Sequence, residues 1–335
     1  MRAYRAEDDP LNAVYESDEY KKICRRQDLD MCLLMDVEVS GLCNMNCIMC
    51  TRQVPTERHL GNMEPELFYR LTDQAVEAGV KLMRFSGYGE VLVNKHFPEF
   101  LAYAKQKGLL THLTTNGHLM DEAMARTVVE LGLDKIKFSF QGTTEAEYNR
   151  MRNTDKYWDL VANIKRLRRI RDEMGKRLPV IQVATTVMDE TDEEIKAFYD
   201  MWEGVADLVY HLPTATWRLE DTDFGKEHKD RVRSTLLDKP CIEPATKLAI
   251  WNDGAVSGCC GDHFLQLYLG HLNEKHLKEI WEDEPARKIR ALLRRKTPAT
   301  FSQEDKAAYP LCATCQSMNI NRSLWKEAAK KSGDD

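Results

Sequence analysis

Cys43, Cys47 and Cys50 fall within GLCNMNCIMC, residues 41–50, at a C-x3-C-x2-C spacing. Three thiolates this close together can hold three corners of an iron–sulfur cube, for which cysteine is the usual ligand. A cube ligated by protein alone takes four, so three ligands leave one iron open to bind a cofactor directly. A disulfide framework suits the run poorly, because three is odd and the chain reads as intracellular. Structural zinc usually has four ligands, and the nearest histidine, His59, stands nine residues past Cys50.

A second group comprises Cys241, Cys259, Cys260, Cys312 and Cys315. Residues 248–256 read as two short strands around an Asn252-Asp253-Gly254 turn, and 275–294 as one helix, before Cys312-Ala313-Thr314-Cys315. A hairpin supplying one or two thiolates with a distant C-x2-C is a common metal arrangement, and the spacing leaves zinc and iron–sulfur both open. Cys260 has three open roles: ligand in place of Cys259, buried free thiol, or hydrogen-atom donor to a substrate radical. Cys24 and Cys32 belong to no motif and read as structural.

The first cysteine run must be positioned by what surrounds it, and from residue 33 the chain alternates strand and helix. Strands are predicted over 33–39, 82–86, 111–115, 135–140, 180–187 and 207–212, by short apolar or alternating runs. Helices are predicted from Pro65, over 96–107, from an Asp121 cap, over 157–174, and from the capping box Thr191-Asp192-Glu193-Glu194. Six βα units in a row imply a parallel sheet with right-handed crossovers. The fold class is α/β: a partial (β/α)6 TIM-like barrel with a small C-terminal iron–sulfur domain. Active sites on such barrels lie at the strands' C-terminal ends, where residues 43–50 fall. The domain reading is an N-terminal extension packed on the outside over 1–32, the barrel over 33–212, a linker or lid over 213–240, the second cysteine domain over 241–318, and a tail over 319–335.

Other strand ends carry candidate groups. Ser86-Gly87-Tyr88-Gly89-Glu90 follows the second strand: glycine lets backbone approach a ligand, and Glu90 can accept from an ammonium. Thr114-Thr115-Asn116-Gly117 follows the third, where a plain Asn-Gly turn is the competing reading. Ser139 and Gln141 share one face of the fourth strand, as a strand lining a polar cavity would show. Asp36 and Glu38 share a face of the first, with cavity lining and structural salt bridges both open. His211, ending the sixth strand, is a candidate acid or base against a structural histidine.

At the first cysteines, together with Glu90 and Thr115-Asn116-Gly117, the chain resembles the radical S-adenosylmethionine (SAM) superfamily, whose signature is this C-x3-C-x2-C. In that family SAM chelates the open iron of the cube, and its reductive cleavage yields a 5′-deoxyadenosyl radical that takes hydrogen from substrate. The resemblance implies SAM binding near Tyr88, Gly89, Glu90, Thr115, Asn116, Ser139 and Gln141. Tyr88-Gly89-Glu90 stands where the family usually has Gly-Gly-Glu. The C-terminal part resembles the SPASM domain in its shortened form, called twitch: Cys241, Gly254-x4-Cys259 and Cys312-x2-Cys315, with Gly270-His271-Leu272 and Leu277-Lys278-Glu279-Ile280-Trp281. This implies one auxiliary 4Fe–4S cluster on Cys241, Cys259, Cys312 and Cys315, and hence two 4Fe–4S clusters and SAM as cofactors.

Among such enzymes the chain resembles aminocyclitol dehydrogenases and sugar epimerases of natural-product pathways. The expected reaction is hydrogen abstraction from a hydroxyl- or amine-bearing carbon of a small-molecule, carbohydrate-like substrate, ending in oxidation. The alternatives are epimerisation with Cys260 as hydrogen donor, modification of a ribosomal peptide, or a non-catalytic metal-binding module. A flavodoxin- or ferredoxin-type reductant is the implied protein partner. Composition is ordinary for a globular chain, 43% hydrophobic and 30% charged over 335 residues, and the net charge of −6 argues against nucleic-acid binding. No signal-like or membrane-spanning run is visible, so a cytoplasmic location without membrane contact is expected.

Overall fold

The computed structural model describes residues 6–25, 27–214, 222–228 and 241–315. Two short helices come first, α1 (Asn12–Tyr15) and α2 (Asp18–Cys24). The βα repeat follows: β1 (Leu34–Val37), α3 (Pro65–Glu77), β2 (Leu82–Phe85), α4 (Phe97–Gln106), β3 (Leu110–Thr115), α5 (Glu122–Glu130), β4 (Lys135–Ser139), α6 (Glu145–Arg152), α7 (Tyr157–Glu173), β5 (Val180–Val187), α8 (Asp192–Trp202) and β6 (Leu208–Pro213). Then come α9 (Asp223–Glu227), α10 (Glu243–Thr246), β7 (Lys247–Ile250), β8 (Ala255–Ser257), β9 (Tyr268–His271), α11 (Leu277–Glu282), α12 (Glu284–Arg295), α13 (Gln303–Ala308) and α14 (Pro310–Ala313). Most of the 213–240 segment, including Trp217, Arg218 and Asp221, and the whole 319–335 tail lie outside the described residues.

The local chemistry foreseen at helix starts is present. Pro65 opens α3, where its missing N–H costs nothing; the Asp121 carboxylate accepts from the Met124 amide at 2.8 Å; Thr191 and Glu194 close a reciprocal capping box. The helix predicted over 275–294 is instead two, α11 and α12, meeting at an extended Asp283 with φ −67° and ψ 160°. Pro285 has no N–H to return to the Trp281 carbonyl, so a continuous helix fails there. That carbonyl takes its hydrogen bond from the Arg290 guanidinium at 2.9 Å, and the guanidinium lies 3.8 Å over the Trp281 ring.

Strands β1 to β6 are parallel and sequential, forming an open barrel wall. The sheet does not stop at β1. Strand β7 pairs parallel with β1, Leu34 opposite Lys247 and Val37 opposite Ile250, and β8 and β9 extend it antiparallel. Among the described residues nine strands run in the order β6-β5-β4-β3-β2-β1-β7-β8-β9.

Register fixes which side chains share the barrel interior, since paired residues on parallel strands point to one face. Asp36, Arg84, His112 and Lys135 form one layer. Thr114, Lys137 and Gln182 form the next, nearer the strands' C-terminal ends. Residues of opposite parity, such as Leu113, Ile136, Phe138 and Val183, sit in the core beneath the helices. The N-terminal extension, expected on the outside, covers the strand starts. Leu11, Val14, Tyr20 and Ile23 pack on Leu33, Leu34 and Leu82, while Asp9 pairs with Lys135 and the Tyr15 hydroxyl accepts from Arg84 at 3.4 Å. The lower end of the barrel is therefore plugged by charged contacts as well as apolar ones.

Candidate active site

The chain leaves β1 into the loop bearing Cys43, Cys47 and Cys50. The loop after β2 lies against it backbone to backbone: the Glu90 amide donates to the Leu42 carbonyl at 2.7 Å. A Cβ at Gly89 would stand 2.0 Å from the Ser40 carbonyl oxygen, so this approach requires glycine. The three thiols border a cavity of about 140 Å³, also lined by Tyr88, Gly89, Glu90, Thr115, Asn116 and Ser139. Six of the seven residues expected near SAM thus surround the first cysteines.

Glu90 is buried and already engaged. Its two oxygens accept from the Thr115 hydroxyl and the Asn116 amide, each at 2.7 Å, and from the Leu92 amide at 3.1 Å. Burial still raises its carboxyl above the ordinary carboxylate range, so a further cationic donor would stabilise its charged form. Asn116 reaches back to the cysteine loop, its Nδ2 donating to Asn44 Oδ1 at 2.8 Å and lying 3.9 Å from Cys43 Sγ. Two expectations fall elsewhere. Gln141 lies past the end of β4 and bonds Thr186 and Thr214, not the cavity. His211 has the opposite parity to the inward Tyr210, and its Nδ1 meets the Tyr199 hydroxyl of α8 at 3.1 Å. One residue of parity thus takes His211 out of the barrel.

Sequence reasoning missed Arg152, at the end of α6. It donates to the Ser139 carbonyl at 2.7 Å and lies 3.8 Å from Cys47 Sγ, lining the same cavity. It missed Lys137 and His112 as well, although their alternation with Ser139 and Thr114 was the available signal. Asp36 and Glu38 prove to be ion-paired: Asp36 with Arg84 at 2.5 Å and Lys247 at 3.1 Å, Glu38 with Arg58. Arg58 also lies 3.9 Å over the Trp251 ring and 3.3 Å from His263 Nδ1. Glu38 Oε2 accepts the Tyr88 amide at 2.8 Å, and the Tyr88 hydroxyl donates to the Gly261 carbonyl at 2.8 Å. This network clamps the mouth of the barrel to the C-terminal hairpin, and no local sequence pattern signals it.

In the C-terminal part, Cys241, Cys259 and Cys312 pack at the main hydrophobic core, and burial, with Glu243, Cys315 and Cys312 nearby, pushes the Cys241 thiol up. Backbone amides donate to two of the sulfurs, Glu243 to Cys241 at 3.4 Å and Gly261 to Cys259 at 3.3 Å. Cys260 is hydrogen-bonded to the Cys259 thiol and reaches the barrel as well. Its sulfur accepts from Lys247 Nζ at 3.2 Å, which places it beside the barrel's interior charges.

The residues present fit iron–sulfur ligation at both places. N–H groups aimed at cysteine sulfur suit thiolate ligands. Burial, with Glu90 beside Cys43 and the neighbouring thiols beside both, pushes the Cys43 and Cys50 thiols up, a cost that a bound cationic metal reverses. Among the described residues no three His, Cys, Asp or Glu side chains converge on a single ion; the corners of a cube hold their ligands further apart.

Comparison with known proteins agrees with this geometry. Residues 37–201 match the model of the radical SAM superfamily, and 241–316 that of an iron–sulfur cluster-binding domain, SPASM. The chain carries a radical SAM domain and a SPASM domain. The two domains imply a SAM-binding 4Fe–4S cluster and an auxiliary cluster, and the protein is a radical SAM enzyme.

Among its relatives is a PqqA peptide cyclase of Granulibacter bethesdensis, 38% identical over 104 residues, 31% of this chain and 28% of that protein. Another is the tungsten-containing aldehyde ferredoxin oxidoreductase cofactor-modifying protein of Pyrococcus furiosus, 29% identical over 294 residues, 74% of this chain and 80% of that protein. The fold is shared with BtrN solved with AdoMet and 2-DOIA, at TM-score 0.53 and 18% identity, over 81% of this chain and 90% of that one. It is shared too with Streptococcus suis SuiB bound to precursor peptide SuiA, at TM-score 0.63 and 16% identity, over 87% and 75%. No helix among the described residues is long and apolar enough to cross a membrane.

Proposed function

We propose that this protein is a radical SAM oxidoreductase acting inside the barrel on a hydroxyl- or amine-bearing carbon of a small, carbohydrate-like substrate, with oxidation as the outcome. One observation carries the reading: the inward polar residues of the barrel run from one cysteine set to the other. Thr114 and Ser139 line the cavity of Cys43, Cys47 and Cys50, and in the layer below Asp36 pairs with Arg84 and with Lys247, whose Nζ reaches the sulfur of Cys260, next in sequence to Cys259. A substrate there lies between the place where hydrogen is removed and a place where an electron can be accepted. When bound, the cofactors supply the radical and the electron sink. The chain holds the SAM pocket through Glu90 and Asn116, steadies Ser139 and the Cys47 loop through Arg152, and keeps bulk water from below with Asp9 and Tyr15.

Cys260 supports a second reading. Its thiol adjoins Lys247 and the barrel's interior charges, which supports a role in returning a hydrogen atom to a substrate radical, giving epimerisation. Fold likeness to peptide-bound SuiB and the peptide-cyclase relative make a peptide the third candidate substrate. The experiment combines Cys260→Ala with turnover in D2O, using candidate substrates under reducing anaerobic conditions. The dehydrogenase keeps activity in the variant, forms one 5′-deoxyadenosine per oxidised product and places no solvent deuterium on carbon. Loss of product with continued 5′-deoxyadenosine formation, and one deuterium in the wild-type product, would establish the epimerase instead.

A further inference from the structure

Four cations face the barrel interior from β2, β4 and β7. Three are matched: Arg84 by Asp36, Lys135 by Asp9, and Lys247 by Asp36 and Glu243. Lys137 makes no ion pair and no hydrogen bond among the described residues. It sits on the chamber wall as the register partner of Thr114 and two residues before Ser139, both of which line the cavity. In the layer below, His112 has both ring nitrogens buried with no partner. Buried charges are normally matched, and a buried polar group without a partner costs free energy. Two such groups share the barrel's inward face with Thr114 and Ser139, which line the cavity, and form half of a recognition site.

We propose that the substrate carries a carboxylate, which Lys137 holds as a charge-assisted partner with His112 donating beside it. The inference rests on the barrel interior being the substrate chamber, and it narrows the substrate to an acidic molecule. A purely cationic substrate would meet Arg84, Lys137 and Lys247, with the Asp36 carboxylate beside them already engaged by Arg84 and Lys247. Lys137 is the donor of choice to an incoming anion because its charge is already desolvated: burial, with Arg84 nearby, pushes its ammonium down to about 8. Binding of an anion restores the charged form. Burial first, and then Lys135, Lys137 and Arg84 against Asp36, keep His112 neutral, with one ring nitrogen free to donate. The carboxylate can belong to a free small acid or to an acidic side chain of a peptide.

The test reads Lys137 directly. Full-length protein, reconstituted with both clusters and supplied with SAM, is treated anaerobically with acetic anhydride, and acetylation at Lys137 and at exposed Lys95 is followed by peptide mass spectrometry. Glutarate and an acidic peptide are compared with glutaramide and the matching amidated peptide. A carboxylate should slow acetylation at Lys137 about tenfold at saturation, as a charge-assisted contact of about 1.4 kcal/mol or more requires, and leave Lys95 unchanged. The neutral amides should not protect. Protection by glutarate assigns a free acid; protection by the peptide alone assigns a peptide substrate.

Equal protection by acids and amides, no protection by either, or a Lys137 that never reacts would each overturn the proposal. Lys137→Gln, checked for native iron content, should abolish glutarate binding measured by calorimetry, whereas Lys137→Arg should retain it; retained binding in the glutamine variant would also overturn it. Formation of 5′-deoxyadenosine in the same samples reports separately on the radical reading, which can stand if the carboxylate site fails.

Discussion

Arg58→Met should be among the most damaging single changes outside the cysteines. Arg58 neutralises Glu38, whose side chain is 1% exposed while that of Arg58 is 2% exposed. Even with this partner, burial holds the Glu38 carboxyl above its ordinary value of 4.5. Removing one member of a buried pair typically costs about 3–5 kcal/mol, because the other charge is left without compensation. Methionine keeps much of the packing on Trp251 but loses the cation over the ring. Against a total stability of about 5–15 kcal/mol the loss is large, and for a urea slope of about 3 kcal/mol/M the midpoint should fall by about 1–2 M.

The pH dependence has a definite sign. A folded carboxyl with a raised pKa binds more protons than its unfolded counterpart above 4.5, so stability falls as pH rises through that window. Taking away Arg58 raises Glu38 further and extends the window upward; the variant should regain stability on mild acidification more than the parent does. Glu38→Gln added to Arg58→Met should recover most of the loss. Urea midpoints of the reconstituted protein under anaerobic conditions measure all of this. A loss below about 1 kcal/mol for Arg58→Met, or no recovery in the double variant, would refute the claim that charge compensation carries this clamp.

Anaerobically reconstituted protein should hold about eight irons per chain, and replacing Cys43, Cys47 and Cys50 together should leave about four, measured by iron and sulfide analysis. Gly89→Ala should lower SAM binding and the iron of the first cluster, because its Cβ would lie 2.0 Å from Ser40 O and 2.6 Å from Leu42 O, both backbone atoms of the cysteine loop. Iron content equal to the parent's would contradict the close approach. Glu90→Gln should weaken SAM binding by about 1.5–3 kcal/mol with iron unchanged, since it loses a charged acceptor while keeping shape; equilibrium dialysis with labelled SAM decides.

How much the sequence reveals depends on whether a signal is local. The six parallel strands were legible because each is a short apolar run with a nearby helix cap, and Thr191 and Asp121 cap as their side chains dictate. The cavity around Cys43 was legible because its residues sit at strand ends within a few positions of glycine. Lys137 and His112 were not singled out, since a lysine in an alternating strand reads equally as solvent-facing; only the pairing of β3 with β4 turns it inward. His211 misled for the same reason, there being no local mark of which face of β6 looks inward. The Arg58–Trp251 contact and the β1–β7 pairing join residues far apart in sequence, beyond the reach of any spacing rule.

That β1–β7 pairing bears on the order in which the chain is made. Strand β1 emerges first, yet its second neighbour arrives only after the whole βα repeat has been synthesised. Until then one edge of β1 carries unpaired amide and carbonyl groups, a template for pairing with another chain. The first cysteine loop, whose clamp includes Trp251 and His263, waits for the same event. A barrel cut before residue 241 would keep every cysteine of the SAM-type motif, but it would present an open sheet edge and a loose loop, and its expected fate in the cell is aggregation.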